Sequence, residues 1–225
     1  MNFKKKTKKP KPSNYLTNHL SNNLRFAQGL TLVELLIGMA ILAFVSLMVG
    51  SVYLAHFRLF SNQSTSIDVA SQNRIALDEI INQIREGNGV SSTASVTGCG
   101  GAKTSGTSPS PTVVVKLWPL DTATGDPFDP GSSAPDTAYD YVLYCTDSNN
   151  SLHKVIQKQT TGTASKRTNS DKILATGATT LQFTYDLTPP GTTQVVVQLA
   201  TSAQNYDKKQ TYSTDQTGKA VLRNK

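Results

Sequence analysis

The sequence predicts an α+β protein in which one long N-terminal helix is followed by an antiparallel β-sheet. Three observations predict this class. An uncharged apolar run covers residues 35–55, the helical pattern continues without proline to residue 86, and segments with strand-like alternation follow. An amphipathic helix must bury its apolar stripe against another layer, and a sheet is the natural cover here. The length of 225 residues allows one ordinary domain plus an appendage.

A basic leader, residues 1–29, precedes the apolar run. It carries six lysines and one arginine but no acid. The whole chain has a formal net charge of +7, and outside the leader its basic and acidic side chains balance. By the positive-inside rule, the leader predicts a cytoplasmic N-terminus and an extracytoplasmic C-terminal body. The neutral body argues against nucleic-acid binding, which needs a basic face on the folded domain.

The apolar run is long enough to cross a membrane, so residues 30–55 are predicted as a transmembrane helix. The apolar region of a cleaved secretory signal would be shorter. Glu34 lies at the edge of the run, where a carboxylate needs a partner or a function because apolar surroundings disfavour its charge. If the chain is cut after Gly29, the new α-amine of Leu30 on a neighbouring, staggered subunit supplies a suitable counter-charge.

Residues 56–87 are predicted to continue the helix in amphipathic form. The predicted apolar stripe consists of residues three and four positions apart: Ile67, Ala70, Arg74, Leu77, Ile81 and Ile84, widened by Ile75 and Ile80. Asn73 is placed outside this stripe, as are Gln72, Glu79, Gln83 and Glu86. Gly87 and Gly89 are predicted to end the helix, which would be about 85 Å long from residue 30 at 1.5 Å per residue.

Residues 88–225 are predicted to form a β-rich extracytoplasmic domain. The segment 88–111 is rich in Gly, Ser and Thr and is predicted to be a loop. Strands are predicted at 112–118, 139–145, 152–157, 180–187 and 194–200. Turn-forming residues at 147–150 and 189–191 separate neighbouring strands, and such short connections favour antiparallel pairing.

The end of the leader resembles the class III signal of type IV prepilins and type II secretion pseudopilins. The resemblance rests on Gly29-Leu30-Thr31-Leu32-Val33-Glu34-Leu35-Leu36, in which Leu30 replaces the commoner Phe. It implies the ladle-shaped pilin fold and removal of the leader by a prepilin peptidase, which cleaves between Gly29 and Leu30. It also implies N-methylation of Leu30 and assembly with other pilin or pseudopilin subunits through Glu34. A plain signal anchor is the alternative.

Short segments of the body resemble J-type minor pseudopilins and PilW-type minor pilins. These segments are 74–80, 84–85, 152–154, 173–175, 181–185 and 221–224. The resemblance implies a structural minor subunit near a filament tip, first held in the membrane and then part of a cell-surface or periplasmic filament. Two alternatives remain open: a pilus-borne adhesin or DNA-uptake module, and a signal-anchored extracellular enzyme or solute-binding domain.

Motifs that carry chemistry are few. The histidines are His19, His56 and His153, and the last is interpreted as a half-exposed surface residue. The chain has no G-x-S-x-G motif and no glycine pattern of the phosphate-binding or dinucleotide-binding kind. The sequence therefore predicts neither an enzyme nor a resident cofactor.

Two groups of side chains have alternative interpretations. Cys99 and Cys145 are the two cysteines, and in an oxidising compartment they could close a loop of about 46 residues; two free thiols are the alternative. Asp121, Asp126 and Asp129 are candidate calcium ligands because hard cations prefer oxygen donors. Turn formation is the alternative for these aspartates.

Overall fold

A computed structural model describes residues 31–131, 134–159, 164–205 and 208–223. The predicted leader therefore lies outside the described residues. The chain divides into two compact units, residues 1–56 and residues 57–225. One continuous helix, α1, spans Leu32–Glu86. It begins in the first unit, and its residues from 57 onward belong to the second.

The described part of the first unit is the apolar part of α1. The absence of proline and glycine runs lets the helix continue unbroken, and the large apolar side chains on every face are exposed. An 18-residue window of α1 has a mean hydropathy of 2.6, which makes α1 by length and composition a helix able to cross a membrane. The described residues of this unit, 31–56, form no core of their own.

In the residues that the structure describes, the second unit combines the carboxyl-terminal part of α1 with ten strands. In chain order these are β1 Gly89–Val90, β2 Val96–Gly98, β3 Gly101–Lys103, β4 Val113–Leu117, β5 Asp140–Thr146, β6 Leu152–Gln157, β7 Ser170–Ala175, β8 Ala178–Tyr185, β9 Gln194–Gln204 and β10 Thr211–Val221. One turn of 3-10 helix, Asp136–Ala138, precedes β5. The long helix packed on antiparallel strands confirms the predicted α+β, pilin-like architecture.

The strands form three antiparallel sheets. A five-stranded sheet has the order β1-β4-β5-β6-β7, a three-stranded sheet has the order β10-β9-β8, and β2 and β3 form a hairpin. Alternate residues of β5 enter different apolar clusters: Val142 and Tyr144 join the main core with α1, whereas Leu143 and Cys145 join a second cluster that contains Val96 of β2. Apolar side chains therefore cover both faces of β5, which explains its nearly continuous burial.

The buried face of α1 differs from the predicted stripe. The buried residues are Val69, Asn73, Ala76, Leu77, Ile80, Ile81 and Ile84. Ile67 and Ile75 remain about two-thirds exposed. The placement of Asn73 outside the stripe is wrong, because its side chain is buried against the sheet. Its Nδ2 lies 2.9 Å from Leu199 O, 3.1 Å from Thr201 Oγ1 and 3.2 Å from Thr214 O. The sheet offers α1 a polar strip that spacing alone does not reveal.

The five predicted strands match β4, β5, β6, β8 and β9, and the two predicted turns join neighbouring strands. The predicted loop at 88–111 is partly wrong because β1, β2 and β3 lie within it. The sequence also did not indicate β7 or β10 as strands. In β10 the residue beneath α1 is Gly218, where an added Cβ would lie 2.2 Å from Ile81 Cδ1. A strand that faces the helix with small and polar residues lacks the alternating apolar pattern.

Candidate processing and assembly site

The start of α1 is held by Thr31 and Glu34. The Thr31 hydroxyl accepts a hydrogen bond from the Glu34 amide at 3.2 Å, which is the N-cap arrangement that satisfies a free amide of the first turn. The same hydroxyl lies 3.5 Å from Glu34 Oε2, and the Leu35 amide donates to Thr31 O at 3.1 Å. Thr31 thus fixes where the helix begins, and the Glu34 carboxylate projects from its first turn.

The surroundings of Glu34 are apolar and exposed. Leu32, Val33 and Leu36 expose 74%, 63% and 57% of their surface, and the same holds for the large apolar residues onward to Phe60. Soluble monomers rarely expose a contiguous apolar patch of this length. A bilayer or neighbouring apolar helices would cover it, so the carboxylate lies at the beginning of a surface that needs a cover.

Two hydroxyls inside the apolar segment make their hydrogen bonds within the helix. Ser46 donates to Leu42 O at 2.7 Å, and Ser51 donates to Met48 O at 2.8 Å. A polar group in hydrocarbon is costly unless it is hydrogen-bonded. These local bonds let α1 enter an apolar environment without unsatisfied serine donors.

Residues 24–50 match the family model of the prokaryotic N-terminal methylation motif. The chain carries a type IV prepilin-like signal. The matched range includes Gly29, Leu30 and Glu34 and extends into the exposed apolar part of α1, but it does not reach the β-rich unit. Such a signal is a substrate for prepilin peptidase and implies assembly with other pilins. The curated proteins and the solved structures give no match to the chain.

The cleavage and methylation residues, Gly29 and Leu30, lie outside the described residues, so the cut between them stays a prediction. The same applies to the role of Glu34 in assembly, because its proposed partner belongs to another subunit. What the structure adds is the neighbourhood of Glu34: a capped helix start and a surface of exposed apolar side chains.

Cys99 and Cys145 form a disulfide, with Cα atoms 6.2 Å apart and 46 positions of separation in sequence. Cys99 lies in the turn between β2 and β3 at a φ of 48°, and Cys145 lies in β5. The bridge therefore fastens the β2–β3 hairpin onto the face of the five-stranded sheet that is not covered by α1.

The candidate calcium residues act in turns. Asp121 Oδ1 accepts from the amides of Ala123 and Thr124 at 2.7 and 3.1 Å, and these backbone hydrogen bonds lower the pKa of its carboxyl. Asp129 Oδ1 accepts from the Gly131 amide at 2.9 Å. The backbone carbonyl of Asp126 accepts a hydrogen bond from the Asp121 amide. Within the described ranges, no group of three or more His, Cys, Asp or Glu side chains is arranged to hold a metal; calcium binding stays an untested prediction.

His153 lies between two carboxylates. Its Nδ1 is 2.6 Å from Asp171 Oδ1, and its Nε2 is 3.4 Å from Asp147 Oδ2. Burial disfavours the charged ring, but hydrogen bonds and charge from Asp171 and Asp147 outweigh burial and raise the pKa of His153. The ring joins the β5–β6 turn to β7. Sequence reasoning missed this cluster because Asp171 is distant along the chain and lies on a strand that was not predicted.

A buried carboxylate, Asp140, organises the opposite end of the five-stranded sheet. It accepts from the Gln159 amide at 2.8 Å and from the Ser165 hydroxyl at 2.6 Å. Arg167 Nε lies 3.0 Å from Asp140 Oδ2, an ionic contact without the alignment of a hydrogen bond. Apart from its position at the start of β5, nothing in the sequence distinguishes this aspartate from those in the neighbouring loop.

Proposed function

We propose that the chain is a structural minor pilin or pseudopilin subunit, cleaved between Gly29 and Leu30, N-methylated on Leu30 and assembled into a type IV pilus or type II secretion pseudopilus. The observation that carries the proposal is the methylation motif at residues 24–50. The uncovered apolar surface of α1 supports it, because that surface suits first a bilayer and then the helices of neighbouring subunits.

Leader and fold together support the finer parts of the proposal. The basic leader favours a cytoplasmic N-terminus, so the disulfide-containing β-rich unit would lie in an oxidising extracytoplasmic compartment. The resemblance of short body segments to J-type minor pseudopilins and PilW-type minor pilins supports a minor subunit at or near a filament tip. In this role the chain catalyses nothing itself.

The deciding experiment is co-expression of the full chain with a prepilin peptidase, followed by intact mass measurement and N-terminal sequencing. We expect a mature chain that starts at Leu30 and carries one added methyl group. A bulky residue at the cut, Gly29→Leu, should block processing, because a peptidase at the membrane edge must hold a residue without a side chain there. Gly38→Leu is the matched control, since a Cβ at Gly38 meets nothing within 4 Å.

The controls make the outcome decisive. Cleavage of wild type and of Gly38→Leu, with a block in Gly29→Leu, supports the proposal. A chain that retains Met1 in the presence of an active peptidase, or that is cut beyond residue 50, contradicts it.

A further inference from the structure

The carboxyl-terminal end of α1 borders a cavity of about 340 Å³ in which three arginines converge. Arg85 comes from the last turn of the helix, Arg167 from the segment before β7, and Arg223 from the chain after β10. Trp118 also lines the cavity. Among the described residues of the lining, Glu86 is the one acid.

Hydrogen bonds hold all three arginines. The side chains of Arg85 and Arg167 donate to backbone carbonyls, and Arg223 is held through its own backbone amide. Arg85 Nη2 donates to Lys219 O at 3.3 Å, and the Arg223 amide donates to Arg85 O at 3.4 Å. Arg167 Nη2 donates to Trp118 O at 3.4 Å. The three arginines therefore line one cavity because the fold brings their chain segments together.

Among the described lining residues, the three arginines outnumber the one acid, Glu86. Arg167 is neutralised by the buried Asp140 carboxylate. That leaves Arg85 and Arg223 against Glu86, whose carboxylate also accepts from Gln83 Nε2 at 3.5 Å. Like charges gathered beside a partly enclosed, low-dielectric wall repel each other unless an anion joins them. Guanidinium groups suit a carboxylate or phosphate because their N–H groups form a planar fork.

The neutral body of the protein restricts the kind of anion. A nucleic acid or another long polyanion needs a continuous basic face, whereas residues 30–225 have balanced charge and the arginine cavity is a local feature. A short acidic segment of a protein needs no more than one cavity with two or three arginines. The charge distribution thus favours a peptide carboxylate.

We propose that the cavity formed by Arg85, Arg167, Arg223 and Trp118 binds an acidic peptide segment of a partner subunit. This deepens the proposed function, on which it rests for the identity of the partner as another subunit. The test separates the two proposals because it requires neither leader cleavage nor a filament. Failure of processing would leave the binding result standing, and failure of binding would leave the processing result standing.

Trp118 makes occupancy measurable because it is the single tryptophan of the chain. The full chain in detergent is titrated with an acetylated, amidated tetraglutamate peptide while tryptophan fluorescence is recorded. We expect a saturable change that weakens as salt rises, and no change with the matching tetraglutamine peptide. The double variant Arg85→Gln/Arg223→Gln should bind about tenfold more weakly, since charge-assisted contacts are lost.

Two further variants control for folding and for general charge. Arg223 is exposed, so Arg223→Gln alone should keep the fold and still weaken binding. Arg74→Gln removes a charge of the same kind from the exposed face of α1, where Arg74 pairs with Asp78 at 3.9 Å, and should bind like wild type. Three results would overturn the proposal: no saturable change, an unaltered affinity in the double variant, or tighter binding of inorganic phosphate or an oligothymidylate than of the acidic peptide.

Discussion

The two units of this chain differ in how much of their apolar surface is buried. In the second unit, valines such as Val113 and Val142 have no exposed surface and lie in a core shared with α1. In the first unit, Leu42 and Leu47 expose 70% and 73% of theirs. Burial of apolar area is the main favourable term in folding, so the second unit is stabilised by its own contacts. The described apolar residues of the first unit can be buried only by a bilayer or by other protein chains.

This difference predicts that the two units respond to different changes. Substitutions in the first unit should affect membrane insertion or assembly and leave folding of the β-rich unit intact. Substitutions in the core of the second unit should lower its free energy of unfolding and leave leader processing intact.

The largest expected effect comes from Glu34→Ala. The proposed counter-charge is the α-amine of Leu30 on a neighbouring subunit, and loss of the carboxylate leaves that amine unpaired in apolar surroundings. We expect recovery in sheared filaments or co-purified complexes to fall about tenfold or more, with normal cleavage and a folded second unit by circular dichroism.

Thr31→Ala tests the helix cap independently of the Glu34 charge. That variant removes the hydroxyl that accepts from the Glu34 amide and should cost about 1 kcal/mol of helix stability, yet it keeps the carboxylate and should assemble far better than Glu34→Ala. Equal defects in the two variants, or wild-type recovery of Glu34→Ala, would show that the carboxylate has no special role in assembly.

The next largest effect concerns the Cys99–Cys145 disulfide of the second unit. The bond spans 46 positions, and closing a loop of that size stabilises a fold by about 3–4 kcal/mol in the chain-entropy model. Cys99→Ser/Cys145→Ser should lower the unfolding free energy by about that amount in denaturant titrations, with processing unchanged. In wild type, thiol labelling of denatured, unreduced protein should detect no free thiol; two labelled cysteines would contradict the bridge.

Asn73→Asp tests the polar strip between α1 and the three-stranded sheet. The substitution replaces a donor amide by a carboxylate that faces the oxygens of Leu199, Thr201 and Thr214. A buried carboxylate that faces two carbonyl oxygens is costly even if the Thr201 hydroxyl turns to donate to it, and we expect a loss of about 2–4 kcal/mol at neutral pH. Gln72→Glu makes the same kind of charge change at an exposed neighbour and should change the unfolding free energy by less than about 0.5 kcal/mol. Similar losses in both variants would mean that Asn73 contributes no specific contact.

The same contrast explains what the sequence could predict. The first unit was predictable because a long apolar run and a fixed-offset motif are local signals, and β4, β5 and β6 were predictable because buried strands carry apolar residues in a recognisable order. β10 was not, because it faces α1 with small and polar residues such as Gly218 and so lacks an alternating apolar pattern. Asn73 was not, because its place depends on contacts more than a hundred residues away, as with Thr214. The arginine cavity is of the same kind, since Arg85, Arg167 and Arg223 meet through the fold alone.

The smallest expected effect is a pH dependence of the second unit that comes from His153. Its ordinary pKa is 6.5 and its folded pKa is raised, so the folded state binds the proton more tightly than the unfolded state does. The stabilisation is therefore fully present below about pH 6.5 and is lost as pH rises through the folded pKa. Because Asp171 is about half exposed, solvent screens the interaction and its size should stay below about 1 kcal/mol.

His153→Gln should remove this pH dependence. The variant keeps a polar side chain of similar length on β6 but cannot carry the charge that both Asp147 and Asp171 face. Unfolding free energies of wild type and variant should differ more at pH 5.5 than at pH 8.5, when measured by denaturant titration at both values. Gln157→Glu, a change at the far end of the same strand, should leave that pH-dependent difference unaltered between these values, since a glutamate remains ionised across them. A His153→Gln chain with the wild-type pH profile would show that the two carboxylates do not hold the imidazolium in the folded protein.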